Sequence, residues 1–492
     1  MLAAFYTLGC KLNQLESESI ADAFRREGFS VVPWNGTLPD SAEQPDHEIK
    51  TGNYSLFILN TCTVTSKSEQ KARRIIRKIL REHAETVVIV TGCYAQVEAE
   101  ALKSLDSWLF VVPGKQKHRI LDLPKYISSN PGVDLRNLVS AWADGAADGE
   151  KTADVSGMEN ENKTGCFGCT TSTGVNEESF CFVPGSFSFH SRAFLKIQDG
   201  CDNSCAYCRV SIARGRSRSL DAAKALETLK ILEDNGYREA VLTGVNISQY
   251  HNQMDGRDLD LAGLLETLIC KTNSIRIRLS SVEPEILTTG FFNAVSHERI
   301  RPHFHVCIQS GSESILRRMK RNYLPGDVLE GIRRLRTVKN DPFLGCDIIT
   351  GFPGETDEDF QKTLDFCKNA GFSGIHAFPF SRRPGTDAWN YKNRVTEKEA
   401  GLRAGKLIEL AAEQRKNYVL RWLGQNIEAI AEEGDALEGF FTALSANYLK
   451  LGVFYGKNRP KPGEIVQCRL LNAAASGDMP DEFDAKAEII LK

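Results

Sequence analysis

The chain has 492 residues, 41% of them hydrophobic and 25% charged, and its 61 basic and 64 acidic side chains leave a formal charge of −3. At about 150 residues per domain this length suggests roughly three domains, and the composition excludes a wholly disordered, collagen-like or fibrous protein. The charge balance excludes a uniformly basic nucleic-acid coat but leaves room for local basic patches.

Read in chain order, residues 1–122 alternate short apolar strands with helices. Ala3–Thr7, Leu56–Leu59 and Val87–Val90 are buried-type strands. Helical spacing at Ile20, Ala23 and Phe24 ends at Gly28, and Ser66-Lys67-Ser68-Glu69 reads as a capping box opening a helix to about Glu82. Strands of this kind between helices imply a doubly wound parallel sheet. Residues 123–190, rich in small and polar side chains over 144–150 and 156–174, read as a linker or insertion, largely disordered. Pro39–Asn53 reads as a smaller surface insertion.

Periodicity returns over 191–420. Candidate strands are Phe194–Ile197, Glu239–Thr243, Ile275–Ser280, His303–Ile308, Phe343–Ile349 and Gly374–Phe380, separated by helical patterns such as Ala222–Glu233 and Thr356–Asn369. Six β/α units fall short of the eight of a closed barrel of this kind, so a partial (β/α)6 barrel is expected. Residues 421–492 carry short strands at Ile427–Ala431, Gly439–Leu444, Leu449–Phe454 and Ile465–Leu471, which suits a small antiparallel barrel.

No apolar run approaches the roughly 20 residues that span a bilayer, so no membrane segment is expected. Met1–Tyr6 lacks the charged n-region and long h-region of a signal peptide, which makes the cytosol the expected compartment. Fourteen cysteines in a reducing compartment point to metal or cluster ligation, or to catalysis, rather than to disulfides. Cys270, Cys367 and Cys468 stand alone in apolar contexts and read as small buried hydrophobes.

Two cysteine sets stand apart. Cys201, Cys205 and Cys208 lie on one loop after the first barrel strand, at C-x3-C-x2-C. Three thiolates can hold three irons of a [4Fe–4S] cluster and leave the fourth iron open. Zinc fits less well, since no fourth ligand follows locally. Cys10, Cys62 and Cys93 each follow one strand of the first domain. In a parallel sheet all three come to the carboxyl edge, where ligands bind, and suit a second three-cysteine cluster.

The loop Cys201-x3-Cys205-x-Tyr207-Cys208 resembles the radical S-adenosylmethionine (SAM) superfamily, in which SAM chelates the open iron and is cleaved by one electron to methionine and a deoxyadenosyl radical. The segments Thr7–Gln14, Asn60–Thr65 and Thr91–Gln96, and the domain order, resemble the methylthiotransferases over nearly the whole chain, with a TRAM-like RNA-binding module at 421–492. The Gly-Cys-Lys-x-Asn-Gln form at Cys10 resembles the branch acting on threonylcarbamoyladenosine in tRNA.

That resemblance implies methylthiolation of C2 of threonylcarbamoyladenosine at position 37, with two [4Fe–4S] clusters facing one cavity. One SAM methylates a sulfur held at the auxiliary cluster of Cys10, Cys62 and Cys93, and a second supplies the radical. A flavodoxin-type electron donor and a sulfur source are implied as partners. Isopentenyladenosine in tRNA, a ribosomal-protein aspartate, and a non-catalytic Fe–S RNA-binding or electron-transfer module are the alternatives.

Tyr207, Gly244, Asn246, Glu283, Gln309, Gly351 and Glu355 are candidate SAM-site residues, with Glu283 placed to accept bonds from a ribose. Gly351–Thr356 lacks the Gly-Lys-Ser/Thr ending of a P-loop. Arg214, Arg216 and Arg218 are candidate RNA contacts beside the cluster loop. Further basic groups are Lys71–Arg81, the run Arg317–Arg321, and Lys450, Lys457 and Arg459 with Tyr448, Phe454 and Tyr455 on the small barrel. Ser211 and Ile212 replace the family's Pro-aromatic pair, while Arg214-Gly215 is kept. Cys166, Cys169, Cys181 and His190 in the insertion form a candidate zinc set.

Overall fold

The computed structural model describes residues 1–34, 54–145, 179–187, 189–456, 458–474 and 483–490. They divide into two compact units, Met1–Phe189 with Arg209–Arg216, and His190–Cys208 with Ser217–Lys492.

The first unit is built on a five-stranded sheet with strands β1 (Leu2–Thr7), β2 (Ser30–Pro33), β3 (Leu56–Thr61), β4 (Val87–Gly92) and β5 (Leu109–Val111), in the order β2-β1-β3-β4-β5. Every pairing is parallel. The strands are apolar throughout because both faces are covered. Phe5, Ile58 and Ile89 face one core with Ile20 and Phe24 of helix Lys11–Arg26, while Phe57, Val88 and Val90 face the other with Ile76 and Ile79 of helix Ser66–Glu82. The cap of that second helix falls one residue earlier than the sequence suggests. Thr65 is the N-cap, and its side chain and that of Ser68 bond reciprocally to each other's backbone N–H at 3.1 Å.

The expectation of a disordered linker over 123–190 is corrected in its described parts. Helices Leu123–Ser128 and Leu135–Asp144 put Leu123, Ile127, Leu138 and Val139 into the first core. Their apolar spacing was masked by the polar stretch that follows. Phe182 joins the same core, with Cys181 and Phe189 packed against it. Glu18 accepts from Phe189 N at 2.7 Å and Asp22 from Gly185 N at 2.9 Å. Cys166, Cys169 and the Pro39–Asn53 insertion lie outside the described residues.

In the second unit, strand β6 (Ala193–Lys196) is followed by β7 (Gln198–Asp199), which pairs antiparallel with β8 (Arg218–Ser219). Next come β9 (Glu239–Thr243), the hairpin of β10 (His251–Met254) and β11 (Arg257–Asp260), then β12 (Arg276–Leu279). Strands β13 (His303–Gln309), β14 (Phe343–Thr350) and β15 (Gly374–Pro379) complete the set. Two parallel three-stranded sheets, β12-β9-β6 and β13-β14-β15, are bridged in parallel at Ile277–Ile300 and Val282–Val306. This is the partial (β/α)6 barrel. The long helix Glu397–Trp422 leads to a closed barrel of β16 (Asn426–Leu437), β17 (Phe440–Ser445), β18 (Lys450–Phe454), β19 (Ile465–Ala473) and β20 (Ala485–Ile489), in the order β16-β17-β18-β20-β19. It is antiparallel except for β18–β20. Among the described residues no helix is long and apolar enough to cross a membrane.

A buried ion network ties the starts of the (β/α)6 strands to the small barrel. Glu239, fully buried, accepts from Arg278 Nε and from Arg301 Nε, each at 2.6 Å. Arg276 and Arg301 both reach Glu428 on β16, and Arg278 donates to Ser445 O at 3.2 Å. Burial works against the Glu239 charge, but Arg278 and Arg301 outweigh it and hold the carboxyl well below the usual range. Glu239→Ala would leave the buried Arg278 guanidinium without its carboxylate and remove one of the two carboxylates that hold Arg301. It is expected to cost about 3–5 kcal/mol, measured as a fall in the urea midpoint of the second unit. A midpoint within error of the parent would show that the network carries no stability.

Cys367 and Cys468 are buried as expected, whereas Cys270 is exposed near the end of helix Leu261–Lys271. Its neighbours Leu268 and Ile269 are buried on the same helix.

Candidate active site

Cys10, Cys62 and Cys93 of the first unit come from the ends of three adjacent strands on one sheet edge. Cys10 caps helix Lys11–Arg26 in an extended conformation, Cys62 follows β3, and Cys93 opens helix Cys93–Val97 after β4. Their loops are stitched by residues of the motifs themselves. Asn13 Nδ2 donates to Leu8 O at 2.8 Å and to Thr61 O at 3.2 Å. Asn60 Nδ2 donates to Asn13 O at 2.9 Å, and the Thr61 hydroxyl to Thr91 O.

Close approach explains the glycine before each of Cys10 and Cys93. A Cβ on Gly9 would stand 2.9 Å from Cys62 Cβ and 3.1 Å from its Sγ. One on Gly92, whose φ is +101°, would stand 2.3 Å from Thr61 O.

The three sulfurs lie within electrostatic reach of one another. Cys10 is exposed to solvent, yet the groups crowded around it push its thiol up by desolvation, while Arg214 opposes that rise and Cys93 adds to it. Cys62 is pushed up to about 11 by burial, with Cys10 and Cys93 contributing. Arg214 is the neighbouring cation. Its Nε lies 3.3 Å from Cys93 Sγ, NH1 donates to Glu16 Oε1 at 3.0 Å and NH2 to Asn13 Oδ1 at 2.8 Å. Lys117 closes the network on Glu16 and Asn60. Soft donors in a triad, a guanidinium against one sulfur and a backbone N–H from Val64 to Cys62 Sγ at 3.4 Å fit an anionic iron–sulfur cluster.

This changes the reading of Arg214. The sequence suggests an RNA contact, but the guanidinium is occupied by Glu16, Asn13 and Cys93. Arg209 is likewise buried between Glu98 and Glu69. Arg216 is exposed and Arg218 half-buried. The signal that sequence reading missed is the row of polar residues Asn13, Glu16, Ser17 and Glu18 on a helix face, all buried.

In the second unit the loop of Cys201, Cys205 and Cys208 follows β7. Buried Gln198 organises it. Its amide donates to Asp199 O, Gly200 O and Ser217 Oγ, and its Oε1 accepts from Asn246 N at 2.8 Å. A Cβ on Gly244 would stand 2.9 Å from that same Oε1. Asn246 Nδ2 lies 3.9 Å from Cys201 Sγ. Ala206 N donates to Met319 O at 3.0 Å and Ala206 O accepts from Ala388 N at 2.8 Å, fixing the middle of the loop. Tyr207 packs edge-on to Phe352 at 6.4 Å.

Burial pushes up the Cys201 and Cys205 thiols, and in both cases Arg321 opposes the shift and Glu283 adds to it. Arg321 NH1 and Glu283 Oε2 form an ion pair at 2.8 Å beside the loop. Burial keeps the Glu283 carboxyl above its usual range despite that arginine. Three soft donors on one anchored loop, with a cation opposite, again fit a cluster.

The other candidates stand at the carboxyl ends of the strands. Gln309 ends β13 after a shift in strand register and holds a left-handed φ of 69°, rare for a residue with a Cβ. Glu355 accepts from Gly351 N, and from Phe352 N at 3.1 Å, and it pairs with Arg403. Burial raises its carboxyl to about 7, against these partners. Its carboxylate therefore shapes the Gly351 turn. The basic run of helix Ser66–Glu82 faces outward at Lys71, Arg74, Arg77 and Arg81, and Arg73 bonds Tyr94 OH at 2.6 Å. On the small barrel Tyr448 packs against His303 and Phe343, Tyr455 against Phe441, and Phe454 is exposed. Of the proposed zinc set, His190 packs edge-on to Phe194 at 4.9 Å.

The profile of the radical SAM superfamily matches residues 195–367, and that of the uncharacterized protein family UPF0004 matches residues 3–114. The threonylcarbamoyladenosine tRNA methylthiotransferase of Treponema pallidum (strain Nichols) is 38% identical over 95% of this chain and 98% of its own length. This chain belongs to the radical SAM methylthiotransferases. The threonylcarbamoyladenosine tRNA methylthiotransferase of Bacillus subtilis (strain 168) is 32% identical over 96% of this chain and 94% of its own. The tRNA-2-methylthio-N(6)-dimethylallyladenosine synthase of Anaplasma marginale (strain St. Maries) is 29% identical over 86% and 82%. A radical SAM methylthiotransferase uses SAM and a [4Fe–4S] cluster, and the (β/α)6 unit and the closed C-terminal barrel are the architecture that the motifs predict.

Proposed function

We propose that this protein methylthiolates C2 of threonylcarbamoyladenosine at position 37 of tRNA, with SAM as methyl donor and radical source and with two [4Fe–4S] clusters. The observation that carries this reading is the pair of three-thiol sets, one on a sheet edge and one on an anchored loop, each beside an arginine. The relatives from Treponema pallidum and Bacillus subtilis, both named for threonylcarbamoyladenosine in tRNA, support the branch.

When bound, the clusters and SAM supply one-electron cleavage of SAM and a site for sulfur. Cys201, Cys205 and Cys208 would hold the SAM cluster and Cys10, Cys62 and Cys93 the auxiliary one. Gln198 and Asn246 hold the first loop in shape, and Asn13, Asn60 and Thr61 hold the second set. Arg214 places positive charge against Cys93. Tyr207, Gly244, Glu283, Gln309, Gly351 and Glu355 would border SAM, with Glu283 restrained by Arg321. Arg216, Arg218 and the outer face of helix Ser66–Glu82 would meet RNA phosphates. A flavodoxin-type donor, a sulfur source and a cytosolic setting complete the reading.

Mass spectrometry of tRNA nucleosides tests it. Cells lacking the gene should lose the methylthio form of threonylcarbamoyladenosine and accumulate its precursor. Loss of the methylthio-isopentenyl nucleoside instead would move the protein to the other branch. No change in any nucleoside would reject tRNA as the substrate.

A further inference from the structure

Strands β13, β14 and β15 carry a polar cluster that the reaction above leaves unused. On one face of these strands Val306, Ile308, Cys346, Ile348 and Ile375 are buried. The alternate residues point the other way, with His305, Asp347 and His376 side chains 13%, 25% and 64% exposed. Asp347 stands directly opposite His376 in the strand register. Asp347 Oδ1 lies 3.1 Å from His305 Nε2 and 3.3 Å from His376 Nδ1, and its Oδ2 lies 3.8 Å from Cys307 Sγ. Burial opposes the charge on Asp347, but hydrogen bonds from the two histidines outweigh it and hold the carboxyl well below the usual range.

Arg321 links this face to the SAM-cluster loop. Arg321 bears electrostatically on Cys205, Tyr207 and Cys307 alike, and it donates to Cys307 O at 3.4 Å. Glu283 and Asp347 both bear electrostatically on Cys307. Each histidine commits one ring nitrogen to Asp347, so the exposed His376 ring keeps Nε2 for a ligand.

An apolar substituent laid over this face would desolvate the Asp347 carboxylate and leave His376 Nε2 without a partner, which a site of this kind rejects. An amino-acid substituent matches it, because its hydroxyl or ureido N–H donates to His376 Nε2, which is left as an acceptor when Nδ1–H donates to Asp347, and to the second carboxylate oxygen of Asp347. We propose that His376, with Asp347 and His305, forms the subsite for the polar threonyl arm on N6 of the target adenine. The proposal rests on threonylcarbamoyladenosine being the substrate. His376 and Asp347 act there as specificity residues, and His305 as a positioning residue that fixes the Asp347 carboxylate.

The test is binding of anticodon stem-loop RNA to the anaerobically reconstituted holoenzyme, followed by fluorescence anisotropy. The target position carries either threonylcarbamoyladenosine or plain adenosine. The parent is expected to prefer the modified RNA by about tenfold. His376→Phe should bring the two RNAs within about twofold by weakening only the modified one, and His376→Gln should keep part of the preference. Lack of preference in the parent, together with unchanged tRNA nucleosides in cells without the gene, rejects the substrate and this subsite with it. A parental preference that His376→Phe and Asp347→Asn both leave intact overturns the subsite alone. His305, Cys307 and Asp347 have ligand atoms within 4.8 Å of one another. One zinc per holoenzyme chain, lost in Asp347→Asn, would therefore make this a metal site and also overturn the proposal.

Discussion

Cys205→Ala is expected to abolish reductive cleavage of SAM. Cys201, Cys205 and Cys208 are the thiols of one short loop, and the sequence offers no fourth cysteine there to take over. The loop is fixed by Gln198 and by the backbone bonds of Ala206 to Met319 and Ala388, so it does not slide to bring another donor in. Removing a metal ligand costs more than the 10–100-fold typical of an outer partner. Deoxyadenosine formed with dithionite and SAM under anaerobic conditions should therefore fall at least about 100-fold. The fold should survive, because the Glu239 network and the core of the small barrel are built from other residues. Parental rates of deoxyadenosine formation would remove this loop from the chemistry.

The strands and their ends were readable because parallel strands buried on both faces must be apolar along their length. Leu56–Thr61 and Val87–Gly92 are fully buried, and their runs stand out at once. Short edge strands such as Ser30–Pro33, half-exposed and only four residues long, give no such signal. The same logic made the cysteines legible, since each follows a strand end. Their supporting charges were not. Arg214 looks like one of several basic residues after the loop, and only the fold shows that it meets Glu16 and Asn13, about two hundred residues away. Glu283 read as a ribose partner because it ends a strand, whereas Arg321 already engages it. His305, Asp347 and His376 sit on three separate strands, so no local pattern joins them. Helices 123–145 were missed for a different reason, because the composition of 144–174 coloured the whole stretch.

Cys62→Ala separates the two cysteine sets. Cys62 is buried against Gly9, and its thiol is raised by burial and by the neighbouring thiols Cys10 and Cys93. An alanine there removes one sulfur from a packed site without adding bulk, so the parallel sheet should hold. The loop of Cys201, Cys205 and Cys208 belongs to the other unit. Deoxyadenosine formation should therefore persist while the methylthio nucleoside disappears from the product tRNA. Anaerobic reconstitution should load about four irons per chain in place of about eight, with one of two cluster signals lost in electron paramagnetic resonance. If Cys62→Ala still methylthiolates tRNA, Cys10, Cys62 and Cys93 do not hold an auxiliary cluster, and sulfur must enter through another group. If it loses both clusters and deoxyadenosine formation together, the two sets act as one folding unit, and the division of labour between them fails.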